Sequence, residues 1–263
     1  MSDSWRLLDL GIVDPYKSVI LEEALLIARK EKLTPNTLCF RAPMRHVLVG
    51  VNADLKKRIN IEYCEKENIP ILRDMVGTHA VILDRNIIQY DVDSDTPLNL
   101  NQTMEWVSKS LQRIGLDAHP RAKSNDVLVD GKKISGNSVD LIQGIFTASG
   151  TIILDFDYEF CENALLPLPE LFANKEAQSH REWVTTIKAL LGREVSYNEV
   201  VSALRKGFED VFHIEFELSN SLTEAEEQIL EKLKAKYQSE QWVKRGKWSP
   251  VKDYWGGGNL TDG

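Results

Sequence analysis

The chain has 263 residues, 43% of them hydrophobic and 27% charged, so it can bury a full core as one large domain or as one domain with an appendage. Its formal net charge of −8 argues against a general nucleic-acid surface, which needs basic patches. No stretch reaches the roughly 18 apolar residues of a membrane span, and no basic segment followed by an apolar run opens the chain, so the expectation is a cytoplasmic protein with no membrane partner.

Residues 5–10 read as a first strand. After Pro15, the apolar residues Ile20, Leu21, Ala24, Leu25, Ile27 and Ala28 recur at helical spacing and predict a helix over 16–31. Two β-branched runs at 37–41 and 47–51, with a polar connection between them, predict a hairpin or paired strands. A short helix over 60–68 and a strand over 69–72 follow, then the loop 73–78. Strands are expected at 80–84 and 87–92. Asp91, Asp93 and Asp95 lack the glycine and distal glutamate of a calcium loop, and read as a solvated loop. Met104, Val107, Leu111 and Ile114 place a helix over 98–114, stopped by Gly115.

Residues 125–129 form a strand that ends in Asp130-Gly131, a tight hairpin signal, and Lys132 and Lys133 follow directly. The turn presents a cation at a fixed place. The small residues after it, Ser135, Gly136, Asn137 and Ser138, let a ligand lie close to the backbone. Strands over 139–145 and 150–157 continue the sheet. Short turns without crossover helices make that sheet largely antiparallel. A rigid connection at 165–169, a helix over 185–191, a helix from Ser196 through Gly207, an edge strand at 213–218 and a Thr223/Glu226-capped helix to Tyr237 complete the α+β pattern. Residues 246–263 read as a loose tail. Cys39, Cys64 and Cys161 are odd in number, widely spaced and unlike a zinc pattern, so a reduced compartment is the simplest reading.

The succession of blocks resembles the lipoate-protein ligase A family, within the biotin and lipoate ligase and acyltransferase superfamily. The blocks are Glu23-Ala24 on a helix, Val49-Gly50, Asp84 closing a loop, Asn125-Asp126 before Gly131-Lys132-Lys133-Ile134-Ser135-Gly136, and Gly150-Thr151 before a strand. Leu222-Thr223-Glu224 opening a helix that ends Lys236-Tyr237, with Trp242 beyond, resembles archaeal members. The resemblance implies a class II synthetase-like fold, with largely antiparallel sheet flanked by helices, and a catalytic domain over residues 1–245. It also implies an activity in which ATP with Mg2+ converts lipoate to an acyl adenylate and the acyl group passes to a lysine of a lipoyl carrier domain. Lys133 matches the family's lysine and takes the catalytic role. Asn125 and Asp126 would bind the nucleotide with Lys133, and Asp126 would be the metal ligand. Arg41, Arg73, Gly77, Thr78, His79, Ala80, Asp84, Ser135, Gly136, Ser149 and Gly150 would bind substrate.

The sequence departs from the family in the loop from Arg73 to Asp84. One arginine is Asp74, two glycines are Thr78 and His79, and the histidine before Asp84 is Leu83. Gln89 and Ser149 replace an asparagine and a histidine. Arg41 and Arg45 are the candidates to supply the missing charge. Two further readings follow from these changes. One is an inactive relative that binds a lipoyl domain, a nucleotide or a partner subunit. The other is an ATP-independent lipoyl or octanoyl transferase, which lacks its nucleophile here because no cysteine lies between 121 and 150. A separate accessory subunit is a further expected partner.

Overall fold

The computed structural model describes residues 4–167, 172–173 and 177–245. The part of the 165–169 connection beyond Pro167 and the tail over 246–263 lie outside them. Eleven strands among the described residues form two sheets. The larger has the order β11-β1-β2-β6-β10-β9-β8-β7 and the smaller β4-β3-β5. The large-sheet strands are β1 (Trp5–Val13), β2 (Asn36–Pro43), β6 (Ile87–Ser94), β7 (His119–Pro120), β8 (Asp126–Val129), β9 (Lys132–Ile142), β10 (Ile145–Ile153) and β11 (Phe216–Ser219). The small-sheet strands are β3 (His46–Val49), β4 (Ile71–Arg73) and β5 (Ala80–Leu83).

Most large-sheet pairings are antiparallel, as the short turns predict, but β1 is parallel to both β2 and β11. Between β1 and β2 the reason is α1 (Pro15–Lys30), a crossover helix that returns the chain to the same end of the sheet. The two runs expected to pair with each other, β2 and β3, belong instead to different sheets. The polar connection between them carries the chain from one sheet to the other.

Period-two alternation lets the large sheet bury both faces. Leu7, Leu38, Phe40, Ile88, Tyr90 and Val92 pack toward α4 (Leu100–Gln112) and α8 (Tyr197–Phe212). Leu8, Cys39 and Ile87 pack on the other face, against α1 and α9 (Glu224–Tyr237). The second face also carries charge. Arg6 binds Glu226, Arg41 binds Asp91, and Glu23 accepts from Lys236 and Tyr237 at 2.7 and 2.6 Å. Asp91 and Asp93 are therefore buried on β6 rather than solvated as the sequence suggested, whereas Asp95 is exposed and pairs with Arg29. The small sheet buries its own cluster against α3 (Ile61–Lys66) and α5 (Tyr158–Ala164).

Candidate active site

The Lys133 hairpin forms as its sequence predicts. Asp130 and Gly131 adopt φ of +49° and +75°, the two positive values of a primed turn whose twist matches the flanking strands. A register shift between Val127 and Leu128 then places Asp126 directly across from Gly136. Lys133 Nζ lies 2.7 Å from Asp126 Oδ1. Its carbonyl accepts from Thr185 N at 2.8 Å, which ties the hairpin to the segment between α6 (His180–Trp183) and α7 (Ile187–Leu191).

These side chains line a cavity of about 480 Å3, within the range of small-molecule sites. One wall is β5, from His79 to Leu83. Gly50 N donates to His79 O at 2.8 Å, so by alternation Val81 and Leu83 turn their backbone groups toward β3. Ala80 and Ile82 then turn theirs to the open edge facing the cavity. The opposite wall is β9 and β10, through Gly136, Asn137, Ser138, Ser149, Gly150 and Thr151. Ile153, Phe156, Leu165, Trp183 and Val184 supply apolar surface.

Beneath this wall runs a buried network. Tyr90 Oη donates to Asn137 Oδ1 at 2.6 Å, Ser135 Oγ donates to the same oxygen at 3.1 Å, and Asn137 Nδ2 donates to Asn125 O at 2.9 Å. Asn125 Nδ2 returns a bond to Asn137 O at 2.7 Å. Gly150 is the wall over Tyr90, for a Cβ there would lie 2.5 Å from the tyrosine oxygen.

Of the residues expected to bind ligand, His79, Ala80, Asn125, Asp126, Lys133, Gly136, Ser149 and Gly150 line this cavity. The others have different surroundings. Arg41 is buried under α1, ion-paired with Asp91 and donating to Ser18 Oγ at 2.9 Å. Arg45 meets Asp157 at 2.5 Å and lies 4.6 Å over the Phe160 ring, and neither arginine lines the cavity. Arg73 is buried and donates to the carbonyls of Gly50, Ala53 and Val243 at 2.7, 3.0 and 2.8 Å. Asp84 accepts from Asn86 N at 2.8 Å and stabilises the turn into β6, with burial raising its carboxyl. Ser135 is fully buried below the wall. A Cβ added to Gly77, at φ +85°, would lie 3.7 Å from Gly50 Cα, and Thr78 Oγ1 pairs with His79 Nδ1 at 2.9 Å.

Sequence reasoning missed Arg121, His180 and Trp183, all of which line the cavity. Arg121 brings a second cation, 5.0 Å over the Trp183 ring. It sits in no recognisable motif. Asn137, by contrast, stood in the small-residue run after the lysines. Cys161 also lines the cavity, and burial pushes its thiol up to about 12. Among the described residues no three His, Cys, Asp or Glu side chains gather as a metal site, and Asp126 Oδ1 is already held by Lys133. The residues present do not form a protein cage for Mg2+.

The mixed α+β fold with a large mostly antiparallel sheet is the fold of solved lipoate ligases. A lipoate-protein ligase A solved with ATP bound superposes with TM-score 0.80 at 24% identity, covering 92% of this chain and 99% of that one. The bipartite lipoate protein ligase of Thermoplasma acidophilum gives 0.79 at 25% identity, over 95% and 99% of the two chains. The chain belongs to the lipoyl protein ligase A/B catalytic domain family, whose model matches residues 14–209. Its relatives include the octanoyltransferase LipM of Moorella thermoacetica, 25% identical over 93% of this chain and 99% of that protein. Lipoate-protein ligase A subunit 1 of T. acidophilum is 28% identical over 75% and 80%.

Proposed function

We propose that this protein activates lipoate, or a related acyl acid, with ATP and transfers the acyl group to a lysine of a lipoyl carrier domain. The observation that supports this reading is Lys133, seated in a cavity that joins apolar surface for an acyl chain to polar backbone and a second cation. A carboxylate oxygen of the acid attacks the α-phosphorus of ATP and pyrophosphate leaves. The carrier amine then attacks the acyl carbon, loses a proton and expels AMP. Negative charge builds on the phosphoryl and acyl oxygens in the two steps, and a fixed cation beside both lowers each barrier. Lys133 has that role, with Arg121 the second positive group. The outward N–H and C=O groups of Ala80 and Ile82 offer a ligand a donor and an acceptor. Mg2+ would arrive with the nucleotide phosphates. A separate accessory subunit is consistent with the bipartite archaeal ligase.

ATP-independent octanoyl transfer is the second reading, favoured by the likeness to LipM over almost the full length of both chains. It needs a thiolate, and Cys161, the cysteine among the cavity's lining residues, is buried with a raised pKa. One experiment separates the readings. The purified protein is incubated with MgATP and lipoate, and pyrophosphate and adenylate are measured. In parallel it is given an octanoylated carrier and an apo carrier without ATP. Adenylate formation that falls at least a hundredfold in Lys133→Ala supports ligation. ATP-free transfer lost in Cys161→Ser supports the thioester route. Neither product, with or without a partner subunit, leaves the protein a non-catalytic binder.

A further inference from the structure

We infer that Asp126 is the resident counter-ion of Lys133, that Gly136 is the seat on which the pair rests, and that an anionic ligand enters by taking Asp126's place on the lysine. The inference rests on the acyl-activation reading above and makes Asp126 a positioning residue, not a metal ligand.

A lysine carries a compact charge on a flexible four-carbon stem, and holding it in one place costs side-chain entropy. Here the holding is visible at three points. The backbone is fixed by the bond from Thr185 N. The amine is 2.7 Å from Asp126 Oδ1, whose side chain is 7% exposed against 28% for Lys133. The end of the stem crosses Gly136, where an added Cβ would lie 2.6 Å from Nζ, 3.0 Å from Cε and 3.7 Å from Asp126 Oδ1. Asp126 and Gly136 are cross-strand partners, so the ladder itself sets the carboxylate beside the bare Cα.

With Asp126 on it, Lys133 is neutralised before any ligand arrives. A carboxylate or phosphoryl oxygen gains the full attraction only by displacing Asp126. The displaced carboxylate keeps a donor, since Ser124 Oγ lies 3.3 Å from Oδ2. The exchange trades some ligand affinity for a cation held at the reacting position.

The test is calorimetry with lipoate alone, in EDTA and without nucleotide, on wild type and variants whose folding is checked by thermal denaturation. Asp126→Asn should bind lipoate at least tenfold tighter than wild type. Lys133→Ala should bind at least tenfold weaker, and the double variant Asp126→Asn/Lys133→Ala should bind no tighter than Lys133→Ala. Gly136→Ala, which keeps both charges, should also weaken binding. If it does not fold, the Asp126 and Lys133 comparison decides. Equal or weaker binding by Asp126→Asn overturns the counter-ion role, and so does a gain that persists without Lys133. A folded wild type that binds no lipoate overturns the acyl-activation reading itself, and the inference with it.

Discussion

Gly150 shows how closely the cavity wall is built. A Cβ there would lie 2.5 Å from Tyr90 Oη and 2.6 Å from Cε1 and Cζ, and Tyr90 is fully buried with its ring 4.7 Å from Trp106. The ring has nowhere to move, so Gly150→Ala must break the bond from Tyr90 to Asn137 and disturb the wall. The expected loss is about 2–3 kcal/mol in urea unfolding. Adding Tyr90→Phe should not restore stability, because the ring carbons clash as well as the oxygen. Full rescue by Tyr90→Phe would show that the hydroxyl alone sets the fit. Gly150 and Gly136 were both legible in sequence as small residues beside motif positions. The partner of Gly150 was not, because Tyr90 read only as one residue of a strand.

Among the elements, α1, α4, β8 and the lysine hairpin were readable from local periodicity and turn chemistry. Assignment of strands to sheets was not, because a hydrophobic run specifies burial and not its neighbour. The same limit explains Asp93. Three alternating aspartates look solvated, yet β6 lies between two covered faces. Asp93 is buried and neither carboxyl oxygen has a hydrogen-bond partner. Burial, with the charge of Asp91 nearby, raises its pKa well above the carboxylate range. The folded state then holds a proton that the unfolded chain releases above about pH 4. Stability therefore falls as pH rises from there toward the folded pKa, the sign given by a native state that binds more protons. Asp93→Asn removes this contribution. The variant should gain stability relative to wild type between pH 5 and pH 8 in denaturant titrations, by about 1.4 kcal/mol for each pH unit over which the wild-type group stays protonated. A constant difference across that range would mean that Asp93 is already ionised in the fold.

Across the whole molecule, α1 near the start of the described chain meets α9 near its end. Glu23 on α1 accepts from Lys236 and Tyr237 at the end of α9, which joins two sequence blocks more than two hundred residues apart. α10 (Glu240–Arg245) then packs on β4. Trp242, 3% exposed, donates from Nε1 to Arg73 O at 3.0 Å, and Val243 O accepts from Arg73 Nε at 2.8 Å. Arg73 in turn holds the carbonyls of Gly50 and Ala53, and the strand after its loop is the β5 wall of the cavity. Arg73 thus fastens the loop to the C-terminal helix, a role that no local sequence pattern announces. Removal of residues 239–263 would take away the Trp242 ring and one of the arginine's acceptors, leaving a buried guanidinium short of partners. The truncated chain should lose about 3 kcal/mol or more of stability, and the 73–80 backbone should exchange its amide hydrogens faster. Lys133→Ala, by contrast, should leave exchange in that loop unchanged while weakening lipoate binding. A truncated chain with the exchange rates of the full one would show that the small sheet holds the loop without the C-terminal helix.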